Sequence, residues 1–198
     1  MSLLSIVEAV DNFPPFHEAY PTRGPVSPKS TEQESYIPFH LSFSDFQAGF
    51  EPVGLLRESV WTLIQDDDRD GCFSLYREER PDADGEATLE AVACFFSEKT
   101  VQGGEPAMTA AVAYLTQKWK GEAKFPCLKG SLRLRRTLTA GWRNELYAVY
   151  GPENSSVYKF ARGEVTPEYT FKNRAFSMER AAGQLFGLVT YGIHLTGE

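Results

Sequence analysis

The sequence predicts an α+β fold: a small mixed sheet with several packed helices, in a single domain. Three observations point there. Apolar residues make up 42% of the 198 and aromatic residues 13%, enough to build a core. Residues 105–121, "EPAMTAAVAYLTQKWKG", carry an apolar stripe at helical spacing. Short runs such as "CFSLY" and "NELYAVYG" are rich in aromatic residues and bounded by turn formers, as strands are.

Taken in order, residues 2–11 place Leu3, Leu4, Ile6, Val7 and Val10 at helical spacing, with Ser2 as a cap. Pro, Gly, Ser and charged residues then dominate, and about 14–35 reads as a mobile loop. "YIPFHLSF" reads as an edge strand, because Pro38 has no N–H for a ladder on both sides. "SDFQAGF" suits a short capped turn of helix, and "PVGLLRESVWTLIQ" a longer helix. Residues 66–90 are acidic and turn-rich around the short strand "CFSLY", and "TLEAVACFFS" fits a strand or a buried helix equally. In the long helix Met108, Ala111, Val112, Leu115 and Trp119 share one face, and Gly121 is a natural stop. "SLRLRRTL" alternates Leu and Arg, and "NELYAVYG" is a strand ended by Gly151-Pro152. "SMERAAGQLFG" reads as the last helix, with Ser177 and Arg180 in capping and surface positions. Leu185 to Leu195 reads as a helix end, a turn and a final strand that needs a neighbour to pair with.

Composition narrows the function classes. No apolar run reaches the roughly 18 residues of a membrane span, and "MSLLSIVEAVDNF" lacks a basic region and a cleavage site. Cys72, Cys94 and Cys127 have no CxxC spacing, which fits reduced thiols in a cytoplasmic protein. The net charge of −7 is uneven. Residues 1–113 hold 7 basic and 20 acidic side chains (7 − 20 = −13), and 114–180 hold 13 and 6 (13 − 6 = +7). That asymmetry suits an anionic ligand on the second half, or two halves that attract each other. Nucleic-acid binding is disfavoured, since its footprint needs a basic domain of pI above about 9.

Of the short motifs, "DDDRDG" matches the first six places of a calcium-binding EF loop through Asp66, Asp68, Asp70 and Gly71. Its twelfth place is Arg77, so the bidentate carboxylate is replaced by a cation, and an acidic turn is the better reading. His17, His40 and His194 share no metal-ligand spacing, and His194 reads as a packing residue on the final strand. GxSxG, Walker and GxGxxG patterns are missing from the sequence. Arg133 and Arg135 could face a phosphate from one strand face, or simply face solvent. In "GWRNELYAVYG", Trp142, Tyr147 and Tyr150 offer stacking surfaces, while Arg143, Asn144 and Glu145 put a cation, an amide and a carboxylate in consecutive places. The mixture suits a small polar aromatic ligand, or a buried polar network joining two elements.

"DNF", "GWRNELYAVYGP" (141–152) and "MERAAGQLFGLVTYGIHLTG" (178–197) resemble the N-terminal domain of thiamine pyrophosphokinase-related Nudix hydrolases. In that family a mixed α/β domain of uncharacterised function precedes the Nudix fold. The resemblance implies an accessory domain over 1–175, and a helix and strand over 176–198 leading toward a Nudix domain absent from this chain. The Nudix motif G-x5-E-x7-R-E-U-x-E-E-x-G-U, whose glutamates hold Mg²⁺, has no counterpart here. No catalytic residue or cofactor can therefore be carried over, Mg²⁺ is expected only with the Nudix domain, and the chain alone should not hydrolyse diphosphates. Residues 131–141 intervene where relatives run almost directly on.

The expectation is an accessory, substrate-recognition domain. Its ligand would be thiamine-diphosphate-like or a nucleotide diphosphate, and its partner a Nudix catalytic domain in cis or trans. Trp142, Arg143, Glu145 and Tyr147 are the candidate contacts: Arg143 for phosphate, Glu145 for an aminopyrimidine, Trp142 for stacking. The alternative is a non-enzymatic module that pairs with another polypeptide through its C-terminal edge strand.

Overall fold

The computed structural model describes residues 23–25, 33–81, 86–125, 142, 144–159 and 173–188. The N-terminal helix, the Arg133/Arg135 strand, Arg143, Cys127, His17, His194 and the final strand all lie outside them. The chain divides into two compact units, Met1–Tyr36 and Ile37–Glu198. In the first, strand β1 (Arg23–Pro25) pairs antiparallel with the start of β2 (Gln33–His40), Gly24 opposite Glu34. Part of the segment read as loop is thus paired backbone.

The second unit is an α+β body. Its main sheet takes the order β3-β2-β5-β4, from β3 (Gly54–Arg57), the end of β2, β5 (Ala87–Phe96) and β4 (Phe73–Pro81). β2 runs parallel to β5 through Phe39↔Cys94 and His40↔Phe95, and β4 pairs antiparallel with β5 from Phe73↔Phe96 to Pro81↔Ala87. β2 is therefore interior, not an edge strand. Pro38 is tolerated because the paired positions on the β5 side are Phe39 and His40, so its missing N–H costs no bond there.

Alternation of side chains along these strands explains the aromatic content. Phe39, Phe73 and Phe96 point to one face and meet Phe176 and Phe186, with ring centroids 5.1–6.5 Å apart. Their neighbours His40, Phe95 and Tyr76 point to the other, where Phe43 and Phe46 cover them. Both faces of β5 are buried at Phe95 and Phe96, which settles "TLEAVACFFS" as a strand. The covering helix α1 (Phe43–Gln47) is capped by Ser42, whose Oγ accepts from Asp45 N.

Helix α2 (Glu58–Asp67) starts later than expected, because Gly54–Arg57 pairs with β2 instead. The Val53 N–H donates to Phe39 O at 2.7 Å and draws this segment onto the sheet. After the short α3 (Glu98–Gln102), α4 (Gly104–Glu122) buries Met108, Ala111, Val112, Leu115 and Trp119, the predicted stripe. It ends at Ala123 in the left-handed region (φ 55°), not at Gly121.

α4 packs against β7 (Arg174–Glu179), which pairs antiparallel with β6 (Leu146–Tyr150) in a second, two-stranded sheet. The predicted last helix is corrected here. Ser177 is a buried strand residue whose N–H donates to Thr109 Oγ1, and only Arg180–Gln184 turns, as a 3-10 helix capped by Glu179. Strand pairing with β6 overrides the helix preference of Met178 and Glu179.

Candidate functional site

The β6–β7 ribbon forms one wall of a cleft of about 570 Å³. Its pairing places Tyr147 opposite Met178, and the Arg180 N–H donates to Glu145 O at 2.8 Å, continuing the ladder one step further. Glu145 and Tyr147 lie two residues apart on an extended backbone and so share a face. Arg180 meets both there. Its Nη1 lies 3.2 Å from Glu145 Oε2, and its guanidinium carbon lies 5.6 Å from the Tyr147 ring centroid. Both charged side chains are 51% exposed, at the rim.

The facing wall is Gly49–Val53, the turn that leaves α1. Gly49 takes φ 71° there, and the Phe50 N–H donates back to Asp45 O at 3.0 Å. Phe50, Pro52 and Val53 give this wall an apolar surface, and Glu51 adds a carboxylate. Met178, Gly183 and Leu188 complete the lining, with Tyr150 at one edge. An apolar trough with aromatic rings, a rim cation and a carboxylate suits a planar organic ligand bearing an anionic group.

The candidate residues taken from the sequence do not all meet here. Tyr147 lines the cleft, and Glu145 bears on it through Arg180. Trp142 instead lines a groove of about 180 Å³ with Thr116, Lys120, Asn144, Leu146 and Glu179. Asn144 enters that groove in the left-handed conformation (φ 58°), and its Oδ1 accepts from Lys120 Nζ at 2.9 Å. The carboxylate of Glu145, read as a hydrogen-bond acceptor for an aminopyrimidine, accepts from Arg180.

The acidic "DDDRDG" stretch puts its carboxylates to work within the fold. Asp68 accepts from the Cys72 and Phe73 N–H groups at 2.9 and 2.8 Å, which shapes the turn into β4 around Gly71 (φ 63°). Asp67 turns inward and accepts from Lys118 (2.7 Å), Lys124 (2.5 Å) and Trp119 Nε1 (2.7 Å). Burial pushes its carboxyl up, but these three donors outweigh that and hold it well below the usual carboxylate range. Glu105 and Arg174 form a further pair at 2.6 Å. Both clusters join side chains of the acidic first half of the sequence to side chains of its basic second half.

Asp45 and His40 are two more buried polar groups. Asp45 accepts from Ser155 Oγ at 2.6 Å and from the Ser156 N–H at 3.2 Å, tying α1 to the 3-10 turn Ser156–Lys159. His40 stands edge-on to Phe46, and burial lowers its pKa to about 4 against the opposing pull of Asp45, so it is neutral near pH 7. Among the described residues no group of three His, Cys, Asp or Glu side chains is placed to hold a metal ion, and no helix is long and apolar enough to cross a membrane.

Sequence reading missed Arg180 as a cleft residue, along with Glu51 and Phe50. Arg180 lies 35 positions from Glu145, and only the β6–β7 register brings them together. No family model, curated protein or solved structure matches the chain.

Proposed function

We propose that the chain is a ligand-recognition module of the kind that precedes the Nudix fold in thiamine pyrophosphokinase-related hydrolases. Its ligand is a planar aromatic compound carrying a diphosphate, with thiamine diphosphate as the reference member. The observation that carries this reading is the cleft of about 570 Å³, in which an arginine stands beside a tyrosine ring at the rim of an apolar trough. The volume falls in the range of about 300–1,000 Å³ usual for small-molecule sites. Arg180 supplies the anion contact, since a guanidinium fork matches phosphate oxygens. Tyr147 and Tyr150 supply surface for an aromatic ring, and Glu51 an acceptor for an amino group on it. Mg²⁺ and bond cleavage belong, on this reading, to a Nudix domain acting in cis or trans.

The test is isothermal titration of thiamine diphosphate into the full chain and into Arg180→Gln. Saturable binding by the wild type, weakened about tenfold or more in the variant, is the expected result, since a hydrogen bond to a charged group contributes about 1.5–3 kcal/mol. Equal binding by both would remove the assignment to this cleft.

A further inference from the structure

We infer that Glu145 is an intramolecular competitor for the anion position of the cleft: its carboxylate occupies the Arg180 guanidinium until an anionic ligand displaces it. The latch rests on the ligand-binding reading above and adds a residue that governs which ligands the cleft selects. Three features carry it. Arg180 lines the cleft, and its Nη1 is bonded to Glu145 Oε2 at 3.2 Å, so the carboxylate holds the group that a phosphate needs. Both side chains are 51% exposed, so either can swing into solvent without disturbing the core. Their backbones are fixed independently, by the Arg180 N–H to Glu145 O bond of 2.8 Å and by Leu146↔Glu179 pairing beside it. Breaking the side-chain pair therefore leaves the ribbon intact.

The Tyr147 ring completes the device. It lies 5.6 Å from the guanidinium carbon, so the cation remains seated against an aromatic face when the carboxylate leaves. An incoming phosphate replaces the carboxylate–guanidinium pair with a phosphate–guanidinium pair, and the cost the latch adds is that of parting a half-exposed ion pair. Such pairs are weak, so the latch lowers affinity for anions by only about two- to fivefold. It acts selectively. A ligand without an anionic group has no need of Arg180, and Glu145 leaves its affinity unchanged or raises it if the ligand is a cation.

Four forms of the full chain test this: wild type, Glu145→Gln, Arg180→Gln and the double variant, each titrated with thiamine diphosphate and with thiamine. Glu145→Gln is expected to tighten thiamine diphosphate about two- to fivefold, to leave thiamine no tighter, and to have no tightening effect in the Arg180→Gln background. That loss of effect is the coupling a merely structural role would not produce. Circular dichroism confirms that each variant is folded, and Glu145→Ala provides a second removal of the carboxylate. Binding by the wild type with no tightening in either Glu145 variant overturns the latch and leaves the ligand reading standing. Tightening that persists without Arg180 also overturns it. Failure of both the wild type and Glu145→Gln to bind overturns the latch and the function together.

Discussion

Replacing Asp67 with Ala removes the acceptor shared by Lys118, Lys124 and Trp119, and its cost can be worked from their exposure. The Asp67 side chain is 5% exposed, while those of Lys118 and Lys124 are 21% and 25% exposed. The two lysines can therefore turn to water, and each lost pair costs about 0–1 kcal/mol. Trp119 has no such escape, because it is fully buried and its Nε1–H is left without an acceptor. A stranded donor of this kind costs about 1–3 kcal/mol. The sum is about 1–5 kcal/mol, or roughly 2–20 °C in Tm for a chain of this length. Urea denaturation of Asp67→Ala, Lys118→Ala and Lys124→Ala separates the contributions, with each lysine variant expected to lose no more than about 1 kcal/mol. A loss below about 0.5 kcal/mol in Asp67→Ala would refute the reasoning, because it would mean that the indole N–H is not stranded.

Acid should destabilise the fold in two stages. The folded pKa of His40, about 4, lies below its ordinary 6.5, so between those values the unfolded chain binds the extra proton and stability falls as pH falls, by up to about 3 kcal/mol. Asp67 is depressed in the folded state, so its contribution is present above the ordinary carboxylate value of 3.8 and is lost as pH drops below it. Denaturant midpoints measured from pH 7 to 3 should decline first through the His40 window, and His40→Phe should flatten that part of the curve. Gly187 sits at φ 58°, and a Cβ there would run into the backbone of Leu55. Gly187→Ala should lose about 1–3 kcal/mol from backbone strain alone, with more from the clash, whereas Gly121→Ala, which meets nothing within 4 Å, should be neutral or stabilising by thermal melting.

Much of the fold was legible because its signals are local. The α4 stripe repeats at helical spacing over Met108–Trp119 and is buried throughout. The Tyr- and Val-bearing run before Gly151-Pro152 forms the strand Leu146–Tyr150. Elements whose state depends on distant partners were misread. Gly54–Arg57 carries residues that suit a helix, yet the Val53 N–H bonds to Phe39 and the Leu55 N–H to Gly187, and those contacts draw it into the sheet. Ser177–Glu179 is held as strand by β6 and by the Thr109 hydroxyl, neither of which lies near it in sequence. The cleft was half legible for the same reason. Its tyrosines announce themselves, but Arg180 joins them only once β7 is laid against β6.

Backbone amide chemical shifts recorded during titration with thiamine diphosphate test the central claim most directly. The ligand-binding reading predicts saturable changes at 49–53, 147–151 and 178–188, the segments that line the cleft. Changes centred instead on Thr116, Lys120 and Trp142, in the neighbouring groove, or no saturable change at all, would contradict it.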